Sequence, residues 1–239
     1  WGGVNHPQKE FWGMMHSSNF ENGDASVAAR AGVGTIRLRA SWYQADGTTS
    51  TQGGVPGDGV YDWTYQDKFI RNAAQNNIRT LLYLSDDRSG GSKLFPLGHY
   101  DWTYPAEGPA WNGTAYLNFI RAVVERYGPN GYFWSENPSV PYVPVNTYEV
   151  WNEQNYNVNN PSWTSAGGYI SEYAKFLQTV SDKIKSSVRT VSPNPQPQVK
   201  VLVGGLAADV NISDGVSGVA YVKSLSEQLP DNSEKMRQY

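Results

Sequence analysis

Two kinds of apolar pattern alternate along the chain: short apolar runs and longer amphipathic stretches. In the short runs, apolar residues either alternate with polar ones, as at Ile36 and Leu38, or follow one another directly, as in residues 78–84. Both patterns are typical of strands, and the second is typical of strands buried on both faces of a parallel sheet. In the longer stretches apolar residues recur every three or four positions, which indicates helices. The pattern predicts strands over residues 11–16, 35–40, 78–84, 147–151 and 199–204, and helices over residues 25–31, 65–76, 114–127, 166–188 and 215–229.

Polar residues at the ends of these stretches predict where the helices begin. Asp24 stands where the N-cap of the first helix is expected, and Thr64 can cap the second. Residues 41–62 are rich in glycine and polar residues, which predicts a long loop. The spacing in the last helix predicts burial of Val219, Val222 and Leu225.

Five strands alternating with five helices indicate an α/β fold. Such an order requires a parallel sheet whose crossover connections are right-handed. Nothing in the composition of the 239 residues marks a linker between two cores, so we predict one domain over residues 1–239.

Composition narrows the range of partners and chemistries. The chain has 19 Lys and Arg residues and 22 Asp and Glu residues, which give a formal net charge of -3. It therefore lacks the excess of positive charge that nucleic-acid binding requires, and no nucleic-acid partner is expected. No apolar run approaches the roughly 20 residues of a membrane helix, so no membrane partner is expected. The chain has no cysteine, which excludes disulfides, thiolate metal sites and thiol nucleophiles.

The strand at residues 147–151 runs directly into Asn152 and Glu153, and this is where we expect the chemistry. Ligands of barrels and doubly wound sheets bind beyond the carboxyl ends of the strands, so these two side chains stand at the rim where a substrate would lie. Glu149, four residues before Glu153, is expected to form an ion pair deeper in the sheet. The alternative for Glu153 is a cap or salt bridge in the following loop.

Several segments together resemble the retaining glycoside hydrolases built on a (β/α)8 barrel. Trp151-Asn152-Glu153 resembles the end of the family's fourth strand, and residues 32–37 followed by Ser41-Trp42 resemble its second strand. Residues 126–129 and 133–138 resemble the end of the third helix and the approach to the fourth strand in cellulase-like and β-xylosidase-like bacterial members. Residues 201–207 resemble the fifth strand.

The resemblance implies roles for individual residues. Glu153 would be the general acid/base, Asn152 would bind the sugar hydroxyl next to the anomeric carbon, and Arg37 would orient the catalytic carboxylates. The fold would be a TIM barrel truncated to about its first five βα units, since five of eight strands are present. The catalytic nucleophile, a second Glu, would then lie outside this chain.

Aromatic residues in loops are expected to form sugar-stacking surfaces, since an aromatic face packs on the apolar face of a pyranose ring. The chain has nine Trp and 16 Tyr. The predicted substrate-binding residues besides Asn152 and Arg37 are Trp42, His99, Trp102, Trp111 and Tyr156. Alternatively, the aromatics of residues 89–113 form a small packing cluster that holds a long loop.

Two other functions are compatible with parts of the sequence. A barrel that has lost catalysis could serve as a carbohydrate-binding protein, because a fold does not prove an activity. A metal-dependent hydrolase would have to use His6, His16 and His99, which show no ligand spacing. We therefore expect a hydrolase of oligo- or polysaccharides without metal or cofactor, and a secreted or cell-surface bacterial enzyme rather than a cytoplasmic one.

Overall fold

The computed structural model describes residues 13–15, 23–45, 60–85, 113–155, 170–189, 198–207 and 216–228. Within these ranges strands and helices alternate along the chain. The strands are β1 (Gly13–Met15), β2 (Thr35–Ser41), β3 (Arg79–Ser85), β4 (Thr147–Asn152) and β5 (Lys200–Gly205). The helices are α1 (Asp24–Arg30), α2 (Trp42–Ala45), α3 (Thr64–Gln75), α4 (Gly113–Tyr127), α5 (Tyr132–Glu136), α6 (Ile170–Ser187) and α7 (Gly218–Gln228).

The strands of the described residues form one parallel five-stranded sheet. Their order in the sheet is their order in the chain, β1-β2-β3-β4-β5, and every neighbouring pair is parallel. This confirms the predicted α/β fold with a parallel sheet and alternating helices. Because all strands run the same way, their carboxyl ends, including the end of β4, lie at one edge of the sheet.

One face of the sheet holds an apolar layer. The pairing places Leu38, Leu82, Tyr148 and Val201 in one row across β2 to β5, and all four are buried. Helix α3 packs on β2 and β3, and helix α6 packs on β4 and β5. Their buried residues include Phe69, Ile70, Phe176 and Leu177. The strict alternation along β2, with Ile36, Leu38 and Ala40 buried, follows from this contact with the helices.

The opposite face carries polar and charged residues. Arg39, Tyr83, Glu149 and Leu202 form one row across the same four strands. Thr35, Arg37 and Arg39 of β2 are half-buried, in contrast to the buried residues that alternate with them. Arg37 and Arg39 therefore lie on the same face of the strand.

Three expectations about the helices were wrong. Asp24 and Thr64 are the first helical residues and not the N-caps, which are Gly23 and Trp63. The cap of α3 is supplied from outside the helix, where Oδ1 of Asp62 accepts a hydrogen bond from the backbone N–H of Thr64 at 2.9 Å. A short helix, α2, lies at the start of residues 41–62, where a loop was expected, and a second short helix, α5, lies in the segment that leads to β4.

The third error concerns the buried face of α7. Val219 is 85% exposed and Val222 is 39% exposed, whereas Leu225 is buried as predicted. The helix buries Tyr221 together with Leu225, one turn apart, because Tyr221 packs against Tyr173 of α6 with ring centroids 6.0 Å apart. The predicted stripe leaves out Tyr221, whose ring forms part of the buried face.

In the parts of the chain that the structure describes, no helix is long and apolar enough to cross a membrane.

Candidate active site

The candidate site is the carboxyl end of β4, where Asn152 is the last strand residue and Glu153 follows it. Both side chains are half-buried at the edge of the sheet. The backbone N–H of Glu153 donates to the carbonyl of Gly205 at the end of β5, at 2.6 Å. The backbone of Glu153 is therefore tied to the neighbouring strand where its loop begins.

Arg37 connects this edge to the interior of the polar face. Its Nε donates to Oε2 of Glu149 at 2.7 Å, and its Nη2 donates to Oε1 of Glu149 at 2.9 Å and to Oδ1 of Asn152 at 2.8 Å. The guanidinium carbon lies 4.0 Å from the centre of the Tyr83 ring. The planar guanidinium is thus held from three sides, by a carboxylate, an amide oxygen and an aromatic face.

The electrostatics of Arg37 favour its charged form. Burial alone lowers the pKa of Arg37, but the hydrogen bonds and charge of Glu149, with smaller contributions from Tyr83 and Glu153, raise it above the ordinary value. Glu153 is therefore within electrostatic reach of the guanidinium. Arg37 is therefore the cation of this site.

Glu149 anchors this arrangement. It is 4% exposed, and its Oε1 also accepts a hydrogen bond from the backbone N–H of Gly205. The ion pair expected for Glu149 is confirmed, with Arg37 as the partner. The ion pair is not confined to the interior of the sheet. The long side chain of Arg37 reaches from Glu149 to Asn152 at the carboxyl end of β4.

A break in the strand alternation allows Glu149 and Asn152 to meet the same arginine. In a regular strand, residues three positions apart point to opposite faces. Between them Trp151 has a φ of 78°, a left-handed conformation that is uncommon for a bulky residue. The ring of Trp151 packs against Phe176 of α6, with centroids 5.8 Å apart, on the helix-covered face. The backbone thus changes sides at Trp151 and returns Asn152 to the polar face.

Two buried amides hold the segment after Glu153. Gln154 and Asn155 are both fully buried. Nε2 of Gln154 donates to the carbonyl of Gly204 at 2.8 Å. Nδ2 of Asn155 donates to the carbonyls of Ala207 and Val216 at 3.1 and 2.8 Å, and its Oδ1 accepts from the N–H of Ala207 at 2.8 Å. The loop that begins with Glu153 is therefore attached to both ends of the chain segment that follows β5.

Sequence reasoning missed Gln154, Asn155 and Gly204. A signal for Gly204 was present, because a glycine inside a strand often marks a close approach of another backbone. A Cβ on Gly204 would lie 2.7 Å from the carbonyl oxygen of Val150 and 2.9 Å from the carbonyl carbon of Trp151. For the two amides the sequence offered only a polar run, which a solvated loop would show equally.

The structure brings some of the predicted site residues together. Arg37, Asn152 and Glu153 meet at the end of β4, as described above. Trp42 differs from its prediction, because its side chain is only 3% exposed and packs against Tyr116 with ring centroids 5.7 Å apart. Trp42 leads directly into α2, which turns its ring into the core rather than toward a loop surface. His99, Trp102, Trp111 and Tyr156 lie outside the described residues, as do His6 and His16.

Within the described ranges, no group of three or more His, Cys, Asp or Glu side chains is arranged to hold a metal ion.

Solved structures similar to this chain include several glycoside hydrolases. A glucosidase from Croceicoccus marinus matches with a TM-score of 0.50 and 15% identity over 85% of this chain and 36% of its own. The likeness shows the fold. A family 39 glycoside hydrolase from the gut symbiont Bacteroides cellulosilyticus WH2 matches with a TM-score of 0.44 and 15% identity over 81% of this chain and 31% of its own. A further glycoside hydrolase matches with a TM-score of 0.46 and 12% identity over 84% of this chain and 55% of its own.

The chain thus spans from about a third to about half of the length of these structures. No family model and no curated protein matches it.

Proposed function

We propose that this chain is part of a glycoside hydrolase that cleaves O-glycosidic bonds of an oligo- or polysaccharide with retention of configuration. The observation that carries the proposal is the position of Glu153 at the end of β4, beside an Asn152 whose side-chain oxygen is held by Arg37 at 2.8 Å. The parallel sheet in sequential order and the fold shared with a glucosidase support it. We propose further that these five βα units belong to a (β/α)8 barrel.

The orientation of Asn152 follows from the chemistry of its neighbour. An arginine side chain has only donors, so it must face the oxygen of the Asn152 amide and not the nitrogen. The NH2 group of Asn152 is then left to point away, and it makes no hydrogen bond to any described residue. We assign it to the hydroxyl next to the anomeric carbon, a contact that strengthens as the sugar ring flattens toward the transition state.

Glu153 would act twice in the reaction. It first donates its proton to the glycosidic oxygen while a second carboxylate attacks the anomeric carbon and the aglycone leaves. The anion of Glu153 then takes a proton from water, which attacks the anomeric carbon and releases the second carboxylate with the configuration retained. That second carboxylate, which we place outside this chain, has to lie about 5 to 5.5 Å from Glu153.

A polymeric substrate cannot cross a membrane intact, so we place the enzyme outside the cytoplasm, secreted or on the surface of a bacterium. Cell fractionation with activity measured in each fraction tests this placement.

The test of the function is Glu153→Gln in the full-length protein. The variant should lose hydrolysis of glycosides with poor leaving groups, because these need a proton on the departing oxygen. It should retain the first step on an activated aryl glycoside, which needs little protonation, so a burst of phenol release should precede slow turnover. The matched control is Glu227→Gln, the same change at an exposed position of α7, which should leave both rates unchanged.

Two results would contradict the proposal. Equal loss of rate on both classes of substrate would mean that Glu153 is not the acid. A wild-type protein that binds oligosaccharides without cleaving any of them would favour a non-catalytic carbohydrate-binding protein on the same scaffold.

A further inference from the structure

The hydroxyl of Tyr173 is inserted between β4 and β5, next to the candidate site. Tyr173 lies on α6 and is fully buried. Its hydroxyl donates to the backbone carbonyl of Val150 on β4 at 2.8 Å and accepts from the backbone N–H of Gly204 on β5 at 3.0 Å. A side chain from the helical layer thus joins two backbone groups that face each other across the sheet.

This insertion coincides with a gap in the pairing of the two strands. Val150 pairs with Val203 and Asn152 pairs with Gly205, but no pairing joins Trp151 to Gly204. Buried backbone donors and acceptors need partners, and an unpaired one is costly. The Tyr173 hydroxyl supplies both partners at the step where the ladder is interrupted. The hydroxyl therefore satisfies both backbone groups that the interruption leaves without a ladder partner.

The same step is where the strand changes sides. Trp151, with its φ of 78°, follows Val150 directly. Its ring contacts Phe176, three residues after Tyr173 on the same helix. Strained backbone of this kind persists where its surroundings hold it. Here α6 holds it twice, with the hydroxyl of Tyr173 on the backbone and with the ring of Phe176 on the side chain.

We propose that Tyr173 is a positioning residue for Asn152 and Glu153. It acts through the backbone of Val150 and Trp151 and touches no substrate. Burial raises the pKa of the Tyr173 hydroxyl, so the proton that it donates to Val150 is retained over the working pH range. The catalytic part of this inference rests on the function proposed above, whereas its geometric part does not.

Removing the hydroxyl has a defined consequence. Without it, the carbonyl of Val150 and the N–H of Gly204 can satisfy each other only by moving together into a regular ladder. A regular strand at Trp151 would turn Asn152 to the face opposite Glu149 and away from Arg37. Glu153, the next residue, would move with it.

The experiment compares Tyr173→Phe with Tyr221→Phe in the full-length protein. Tyr221 is a matched control because it is also fully buried, packs against Tyr173, and makes no hydrogen bond from its hydroxyl to any described residue. Tyr173→Phe should lower kcat for unactivated glycosides on the order of 10²-fold, the usual effect of a misplaced catalytic group. The loss should be smaller for activated aryl glycosides, because a displaced acid matters less there. Tyr221→Phe should leave both rates unchanged.

A second control separates positioning from stability. Ile184→Val removes one methylene from a buried residue on α6, away from the strand ends, and should lower Tm without changing the dependence of rate on leaving group. A second readout does not depend on activity. In the crystal structure of Tyr173→Phe, the φ of Trp151 should be negative, and the hydrogen bond from Arg37 to Asn152 should be absent. In the wild-type protein the Gly204 amide should be protected from hydrogen exchange although the ladder does not pair it.

The outcomes distinguish this inference from the proposed function. If Tyr173→Phe keeps the wild-type rates and the φ of Trp151, the positioning role is overturned and the role of Glu153 stands. If Glu153→Gln changes nothing but Tyr173→Phe straightens β4 in its crystal structure, the geometric role of Tyr173 stands and the glycosidase proposal fails.

Discussion

Arg37 and Arg126 each hold one carboxylate with two nitrogens, yet the two pairs lie in different parts of the molecule. Arg126 of α4 binds Asp67 of α3 at 2.9 and 2.6 Å, and Tyr127 and Glu136 extend the cluster at 2.7 and 3.1 Å. All members of this cluster belong to the helical layer. Arg37 binds Glu149 on the polar face of the sheet with similar geometry, at 2.7 and 2.9 Å.

The difference between the two clusters is where their remaining donors go. The further donor of Arg126 ends on Glu136, an exposed residue of α5. The third donor of Arg37 ends on Asn152, the residue before the proposed acid/base. The bidentate pair of Arg126 therefore joins helices to one another, whereas the pair of Arg37 is also hydrogen-bonded to the residue before the proposed acid/base.

The strongest test of this comparison is Arg37→Met. The change leaves Glu149 buried without its counter-charge, which should cost about 3 kcal/mol of the free energy of unfolding. Because Asn152 loses the bond that orients its amide, kcat/KM on unactivated glycosides should fall on the order of 10²-fold even at temperatures where the variant is folded. Urea unfolding and steady-state kinetics measure the two effects. If the variant is less stable but its kinetics are unchanged, Arg37 has only a structural role, like Arg126.

Gly204→Ala tests how tightly the end of β5 fits against β4. The added Cβ would lie 2.7 Å from the carbonyl oxygen of Val150 and against the side-chain oxygen of Gln154, so the backbones must separate at a cost of about 3 kcal/mol. Gly218→Ala is the matched control, since its nearest neighbour would be 3.5 Å away. Thermal unfolding of the two variants should differ clearly. Equal melting temperatures would show that the strand ends are loosely packed.

Arg126→Met breaks the other arginine pair and should affect stability alone. Both side chains of the pair with Asp67 are partly exposed, at 16% and 20%, so solvent reduces the cost of breaking it to about 2 kcal/mol. The kinetics of the folded variant should match the wild type on every substrate. A change in its dependence on leaving group would show that the helical cluster also influences the site.

Replacing Asp62, which caps α3, should have the smallest effect on stability, and that effect should depend on pH. The side-chain and backbone hydrogen bonds from Thr64 lower the pKa of Asp62 below its ordinary value of 3.8. A lowered pKa means that the folded state favours the anion, so the stabilisation is present above the ordinary pKa and is lost as pH falls below it. Asp62→Ala should cost about 0.5 kcal/mol at pH 7, since the carboxylate is exposed, and this cost should shrink as pH falls below the ordinary pKa and disappear below the lowered one. A difference that stays constant with pH would exclude this cap.

The regular parts of the fold could be predicted from sequence because apolar periodicity reports burial directly. The ends of β2, β3, β4 and β5 differ from the predicted ends by at most one residue, because each strand carries apolar residues that pack into the core. The same reasoning failed on α7, where a tyrosine and a leucine make the buried face and two valines are exposed. A tyrosine such as Tyr221 has an apolar ring and a polar hydroxyl, so a periodicity pattern can treat it as either apolar or polar.

Arg37, Asn152 and Glu153 could be picked out from the sequence as neighbours at the end of β4, but the geometry that joins them could not. The strand pattern ends at Asn152 and Glu153, which predicts that they lie at the carboxyl end of β4. An ion pair was predicted for Glu149, but the sequence did not identify Arg37 as its partner. The positive φ of Trp151 and the bridge from Tyr173 could not be foreseen. They depend on contacts between residues more than 20 positions apart, and no local pattern encodes such contacts.

The most direct test of the account is azide rescue of Glu153→Ala in the full-length protein. The small residue removes the acid/base and leaves room for an anion beside the anomeric carbon. On an activated aryl glycoside the variant should accumulate the glycosyl intermediate, and added azide should raise turnover by attacking that intermediate without needing a base. The product should be a glycosyl azide with the configuration of the substrate, identified by NMR. If azide leaves the rate unchanged and no glycosyl azide forms, Glu153 is not the acid/base of a retaining glycosidase.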